Sequence, residues 1–395
     1  MTENMLTDKI KSLAGKHYDR CVLIRRHIHR YPELSEQEEG TAALVADTLR
    51  EAGIETRSGI AGHGVIGLVR GNRPGRTVLL RADMDALEVN ELADVPYRSE
   101  RLGVMHACGH DGHTAGLLLA ALALCELKDD FPGTVKLMFQ PAEETVGGAL
   151  PMIEAGALDD PHVDAAFGCH LWGQAPEGVV QVKAGPMMAS PDEFVITLRG
   201  PGGHGGAPQF AVDLVVLASE LVLRFQTIIS RRKNPLEPAV LSVCSIHGGE
   251  AFNVLPGELR MTGTIRTFSE EARTLIPREM EKALETLCPA AGATYSFHAK
   301  RLFPPLVNDR RAAEIARTAA GKIVGARNAT EAEPSMGGED FACIAERVPS
   351  AFFFVGIARD GQSVPHHSPY FQWDDRAIFT SACCLCQSAL DFLLE

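Results

Sequence analysis

The densest group of reactive side chains lies in the segment MHACGHDGH, at residues 105–113. A thiolate at Cys108 and an imidazole at His110 are ligand types that suit zinc and other borderline transition metals. Gly109 and Gly112 allow tight backbone turns beside these side chains. The alternative interpretation, a helix start with polar caps, would require this density of cysteine and histidine to arise by chance. We therefore interpret the segment as metal-binding.

A pair of acids, Glu143 and Glu144, follows the apolar stretch TVKLMF. Adjacent carboxylates after a buried strand repel each other unless cations hold them. One carboxylate can bind metal while the other acts as a general base. In isolation such a pair usually marks a solvated helix start, so the metal interpretation depends on the segment at 105–113.

Further candidate ligands are single or paired histidines: His170, after DAAFGC, and His366 and His367 in a proline-containing segment. Taken alone, each fits a structural or surface residue, but beside the first two groups each becomes a candidate ligand. Asp83 and Asp85, in RADMD, could orient ligand histidines from behind or only cap the next segment.

The predicted elements place these groups together. Short buried strands are predicted at 76–81, 134–139 and 164–170, and each is followed by polar residues. A helix is predicted from His110 through Leu127. In open α/β sheets, sites form outside the carboxyl ends of the strands, so the pattern predicts an α/β fold with its site on one edge of one sheet.

The pattern changes near Met187. In the following segments apolar and polar residues alternate or recur with a helical period. We predict strands at 192–200, 239–247, 258–267 and 293–300, and helices at 211–231 and 270–288. Beyond residue 304 the α/β pattern resumes and ends in a helix at about 375–394. We predict a catalytic domain formed by 1–186 and 299–395, interrupted by a smaller α+β domain at 187–298.

Composition narrows the function class. The 395 residues carry a formal net charge of −13, which argues against nucleic acid or an anionic membrane as the main partner. The N-terminal residues lack a signal-peptide pattern, and the longest helical apolar run, 116–127, falls short of the ~20 residues that span a bilayer. The ten cysteines lack the spacing of a disulfide framework. These features predict a cytoplasmic protein with reduced thiols.

Eight segments in order resemble motifs of the M20 metallopeptidase family, specifically its amidohydrolase branch. They are RADMDAL, MHACGHDGH, QPAEE, GCHLW, GGHGGAP, NVLPGELRMTGTIRTF, GGEDFA and HHSPYF. That branch includes hippurate hydrolases, N-acyl-amino-acid amidohydrolases and auxin-conjugate hydrolases. The resemblance implies a hydrolase that splits the amide bond of small N-acyl amino acids, hippurate-like or N-acetylated. It implies two divalent ions per subunit, with zinc, manganese, cobalt or nickel as candidates.

The resemblance also implies roles for individual residues. The implied metal ligands are Cys108, His110, Glu144, His170 and His367. Glu143 matches the general base, and Cys108 the bridge between two ions. His204 matches a residue of the smaller domain that reaches an active site, often that of the partner subunit. Asn253 and Arg266 match positions that grip the substrate carboxylate.

The smaller domain matches the family's lid and dimerisation domain, which implies a homodimer or higher homo-oligomer. One departure concerns the lid motif, which reads His204-Gly-Gly-Ala where family members commonly carry a small residue such as Ala after the histidine. The added backbone freedom leaves the placement of this ring less defined.

Three alternative functions stay open. A dipeptidase or carboxypeptidase of the same family would usually carry Asp where this chain has Cys108. A thiol hydrolase would use Cys108 as nucleophile with a neighbouring histidine as base. A binding protein that kept the fold would not need the ligand set and Glu143 together.

Overall fold

The computed structural model describes residues 3–145, 147–359 and 361–395. The chain divides into two compact units. The first contains the chain up to Met187, together with Val307–Glu333 and Asp340–Glu395. The second contains Met188–Leu306 and Pro334–Glu339.

The α-helices in the described residues are α1 (Glu3–Arg30), α2 (Glu39–Glu51), α3 (His110–Glu126), α4 (Ala149–Glu154), α5 (Leu214–Thr227), α6 (Glu270–Ala290), α7 (Arg310–Val324), α8 (Ala342–Ala345) and α9 (Arg376–Leu394). The strands are β1 (Glu55–Ile60), β2 (Gly64–Arg70), β3 (Thr77–Asp83), β4 (Thr134–Gln140), β5 (Ala165–Pro176), β6 (Val180–Val182), β7 (Gly185–Met188), β8 (Ser190–Arg199), β9 (Gly203–His204), β10 (Ala239–His247), β11 (Val254–Leu255), β12 (Glu258–Thr267), β13 (Thr294–Lys300), β14 (Leu306–Asn308), β15 (Ala329–Thr330) and β16 (Ser350–Ala358).

The first unit is built on a mixed eight-stranded sheet with the order β1-β2-β4-β3-β5-β16-β6-β15. Its centre is parallel, since β3 pairs in parallel with both β4 and β5, and β5 with β16. Strands β3, β4 and β16 are buried along their whole length, as expected for parallel strands covered on both faces. The predicted α/β class is confirmed.

Helix α9 is the longest apolar helix in the described chain, longer than the predicted run at 116–127. By length and composition it could cross a membrane, but 72% of its apolar window is buried inside the protein. It packs against α3 and α7 as a core helix.

Helix α1 runs without a break from Glu3 to Arg30, through Gly15. Leu6, Ile10 and Ala14 recur every four residues and are buried. A continuous apolar stripe at this spacing stabilises the helix through its packing, which outweighs the low helix propensity of one glycine.

The second unit has a four-stranded antiparallel sheet with the order β10-β12-β8-β13. Its core is formed by that sheet with α5 and α6. The unit runs past residue 298, the end predicted from the sequence, because β13 continues to Lys300 and the amide of Leu302 donates to Asp192 Oδ1 at 3.1 Å.

Candidate metal centre

The first unit brings the candidate ligands to one edge of its sheet. Strands β3 and β4 end side by side at Asp83 and Gln140, and the acid pair follows β4 directly. His110 is the first residue of α3, and Gly109 before it has φ 96°. That left-handed conformation is one that glycine adopts without strain, and it lets the chain turn between Cys108 and His110.

The side-chain atoms of all five predicted ligands converge. Cys108 Sγ lies 3.4 Å from His170 Nε2. Glu144 Oε1 lies 3.7 Å from His110 Nε2 and 3.4 Å from His367 Nε2. Two groups, Cys108–His110–His170 and Cys108–Glu144–His367, each have ligand atoms within 4.8 Å of one another. Cys108 belongs to both groups.

The ligand histidines are oriented for cation binding. His110 Nδ1 donates to Asp85 Oδ1 at 3.1 Å, and His170 Nδ1 donates to the Leu171 carbonyl at 2.7 Å. In the neutral rings the lone pair is then on Nε2, the atom that faces the other ligands. His110 Nε2 is buried and makes no hydrogen bond to any group in the described chain. A bound cation would supply the missing partner, so these residues fit a divalent metal.

Two neighbouring histidines serve the structure instead. His113 Nδ1 donates to Asp83 Oδ1 at 2.6 Å, and its Nε2 accepts the Leu171 amide at 2.9 Å. Both of its nitrogens are therefore occupied. His366 donates to the Leu171 carbonyl at 2.9 Å, while the adjacent His367 approaches the acid pair. Asp83 thus makes its hydrogen bond to His113, while its Oδ1 lies 3.8 Å from His110 Nδ1.

Burial and charge set the protonation of these groups. Burial, followed by the charge of Glu144, raises the pKa of the Cys108 thiol well above its usual range. Burial holds the pKa of His170 well below its usual value, so this ring is neutral. Burial acts to lower the pKa of His110, but the charge of Asp83, the hydrogen bond to Asp85 and the neighbouring Cys108 together outweigh it, and the pKa is raised well above its usual value. A thiolate at Cys108 therefore needs a cation beside it.

Arg81 links the ends of strands β3 and β4 through its guanidinium group. It is 1% exposed and donates to Asp83 at 2.7 Å, to Gln140 at 2.8 Å and to Asp340 at 2.7 Å. Asp340 also accepts the amide of Ala149 at 2.9 Å. In the structure it joins β3 to the segment after β4.

We expect Arg81→Met to lower the free energy of unfolding by about 3–5 kcal/mol, because it leaves Asp83 and Asp340 buried without their cation. Arg70→Met is the matched control. Arg70 pairs with Glu55 at 3.0 Å on the exposed edge of the same sheet, so its loss costs about 0–1 kcal/mol. Urea denaturation measures both variants, and equal losses would contradict a structural role for Arg81.

Asp85→Asn should weaken metal binding by about 10–100-fold. Asp85 orients His110, and its Oδ2 accepts the amide of Glu144 at 3.0 Å and the hydroxyl of Ser35 at 2.7 Å. Competition with a metal chelator of known affinity measures the change. Asp47→Asn, at an exposed ion pair with Arg50, is the control. Equal metal affinity in both variants would rule out the orienting role.

His204, Asn253 and Arg266 lie in the second unit, and their predicted roles stay predictions. β9 pairs with β11, and the amide of Gly205 donates to the Asn253 carbonyl at 2.8 Å. The amide of Gly206 donates to His204 Nδ1 at 2.9 Å, which puts the proton of the neutral ring on Nε2. A Cβ at Gly206 would lie 3.1 Å from His204 Cε1, so this glycine leaves room for the ring. Burial lowers the pKa of Arg266.

Comparisons with known proteins agree with this geometry. The chain is 43% identical over 305 residues to an N-acyl-L-amino acid amidohydrolase of Geobacillus stearothermophilus, covering 77% of this chain and 82% of the relative. It is 40% identical over 376 residues to thermostable carboxypeptidase 2 of Saccharolobus solfataricus, covering 94% of each.

The crystal structure of the Bacillus subtilis YXEP protein, described as a dinuclear metal-binding peptidase, is similar with a TM-score of 0.83 and 33% identity. The match covers 96% of this chain and 99% of that one. The model of peptidase family M20/M25/M40 matches residues 79–388. The chain belongs to this peptidase family, M20/M25/M40.

Proposed function

We propose that the protein is a metal-dependent amidohydrolase that cleaves small N-acyl amino acids into a carboxylic acid and a free amino acid. The observation that carries the proposal is the convergence of Cys108, His110, Glu144, His170 and His367 beside Glu143. The name of the Geobacillus relative supports the substrate class.

We further propose that this ligand set holds two divalent ions, as the description of the similar B. subtilis structure suggests. When bound, such ions lower the pKa of a water molecule and polarise the acyl carbonyl. Thiolate favours zinc, but manganese, cobalt and nickel also suit mixed sulfur, nitrogen and oxygen ligands. Metal analysis of the purified protein decides the identity.

Glu143 carries the proton in this proposal. Its carboxylate accepts a proton from the attacking water, whose oxygen bonds to the acyl carbon, and then delivers that proton to the leaving nitrogen as the C–N bond breaks. Glu143 is 9% exposed, and the amide of Asp340 points to its Oε1 at 3.4 Å. This burial shields the carboxylate from bulk water.

A carboxypeptidase is the second candidate, because the relative in S. solfataricus bears that name. The thiol-hydrolase alternative is disfavoured, since burial raises the pKa of Cys108 whereas a nucleophilic cysteine needs a lowered pKa. A cytoplasmic location and a homodimeric or higher assembly stay predictions.

A substrate panel separates the two candidates. N-acetyl, N-benzoyl and indole-acetyl amino acids are compared with dipeptides and N-blocked peptides, using the metal-loaded protein. We expect the highest kcat/KM on an N-acyl amino acid. A higher kcat/KM on peptides would favour the carboxypeptidase, and no turnover on any amide would overturn the proposal.

A further inference from the structure

The backbone immediately before the acid pair is in an unfavourable conformation. Ala142 has φ 56°, a left-handed value that residues other than glycine seldom adopt. Such a conformation persists only when its surroundings hold it in place, and it recurs at functional sites. The backbone conformation at Ala142 determines where the backbone of Glu143 and Glu144 lies.

The peptide groups of Ala142 are held on both sides. Its carbonyl accepts the amides of Gly147 at 3.1 Å and Gly148 at 3.0 Å. The turn is so tight that a Cβ at Gly148 would lie 1.8 Å from the Pro141 carbonyl oxygen. The amide of Ala142 donates to Glu38 Oε1 at 2.8 Å.

Glu38 comes from a distant part of the chain. It is the residue before α2 and is 0% exposed. A residue at this position commonly caps its own helix, but the Glu38 side chain makes no hydrogen bond to the first turn of α2. Its described hydrogen bond instead crosses to Ala142. Burying a carboxylate costs free energy. Capping of α2 does not explain why Glu38 is buried, because its side chain bonds to Ala142 and not to the first turn of α2.

We propose that Glu38 is a positioning residue for the hydrolytic reaction: its carboxylate oxygen holds the Ala142 turn and thereby fixes Glu143 relative to the metal ligands. The inference rests on the proposed function, because it assigns Glu143 the proton transfer. Glu38 acts through the backbone and not on the reacting atoms.

Three variants test the inference. Glu38→Gln keeps an oxygen that can accept the Ala142 amide, Glu38→Met removes the acceptor at similar length, and Glu38→Asp keeps the charge but shortens the side chain. Each is measured as the metal-loaded full chain for kcat, KM, metal content and hydrogen exchange at the Ala142 amide.

We expect Glu38→Met and Glu38→Asp to lower kcat by about 10–100-fold, since a displacement of about 1 Å can cost this much, with KM and metal content unchanged. Exchange at the Ala142 amide should accelerate in both. Glu38→Gln should stay within about threefold of the wild-type kcat, with the amide still protected. If Glu38→Met does not fold, Glu38→Asp carries the comparison.

The inference is overturned by a wild-type kcat in Glu38→Met or Glu38→Asp, by unchanged exchange at Ala142, or by an equal loss in Glu38→Gln. A loss of metal that parallels the loss of kcat would also overturn it, because Glu38 would then support the ligands and not Glu143. Failure of the proposed function is distinguishable: the wild type would turn over no amide, while the exchange comparison, which needs no substrate, still decides whether Glu38 holds the turn.

Discussion

Glu143→Gln is expected to retain both metal ions and to lose roughly 10²–10⁴-fold in turnover. The amide of glutamine has the size of the carboxylate but cannot take a proton from the attacking water. Because the loss falls on proton transfer, kcat should drop while KM changes little. Steady-state kinetics on the best substrate of the panel, with metal analysis of the same sample, measures both quantities.

The adjacent Glu144 provides the matched control. Its Oε1 faces His110 and His367, whereas Glu143 is the proposed proton carrier. Glu144→Gln should therefore lose metal together with activity, and Glu143→Gln should lose activity alone. Full turnover in Glu143→Gln, or equal metal loss in both variants, would remove Glu143 from the role of base.

Exhaustive chelation is expected to abolish turnover, and addition of a divalent ion should restore it. Without a cation the Cys108 thiol stays protonated, since burial raises its pKa, and Glu143 would have to deprotonate a water molecule whose pKa no metal ion lowers. Activity is measured before chelation, after it, and after titration with zinc, manganese, cobalt and nickel salts.

Alkylation provides the control for this experiment. A metal-bound thiolate should be protected from iodoacetamide. Chelation should remove this protection and increase the fraction of Cys108 that iodoacetamide labels. Activity that survives complete metal removal would contradict the metal mechanism. Activity lost to alkylation while the metal remains bound would instead favour Cys108 as nucleophile.

The sequence predicted much of this site because metal ligands are identified by residue type. Cys108, His110 and Glu144 lie in short segments with few other interpretations, and their strands end in polar residues. Parallel pairing of β3, β4 and β5 then brings segments distant in the chain to one edge, as the α/β pattern predicts.

The remaining features depend on hydrogen bonds between distant residues. Residue type and spacing alone do not distinguish His113 from His110, or His366 from His367; the choice of His110 and His367 comes from the family resemblance. The Asp83 and Leu171 partners give the physical reason, because they occupy both nitrogens of His113 and one nitrogen of His366. The sequence gives no local signal for Glu38, because its hydrogen bond to the Ala142 amide joins residues far apart in the chain.

The fold shows a similar limit. Strands β10 and β12 match the predicted ranges 239–247 and 258–267 because alternation along each strand is local. Strand β16 and helix α7 were not predicted individually, although both lie in the region where the sequence indicated α/β structure. The uniformly apolar run of β16 gives no periodicity that separates a buried strand from a buried helix.

Anomalous diffraction from crystals of the zinc-loaded protein tests the central claim most directly. We predict two metal peaks per chain, both within the cluster formed by Cys108, His110, Glu144, His170 and His367. A single peak, or peaks away from these five side chains, would contradict the two-ion site on which the proposed hydrolysis depends.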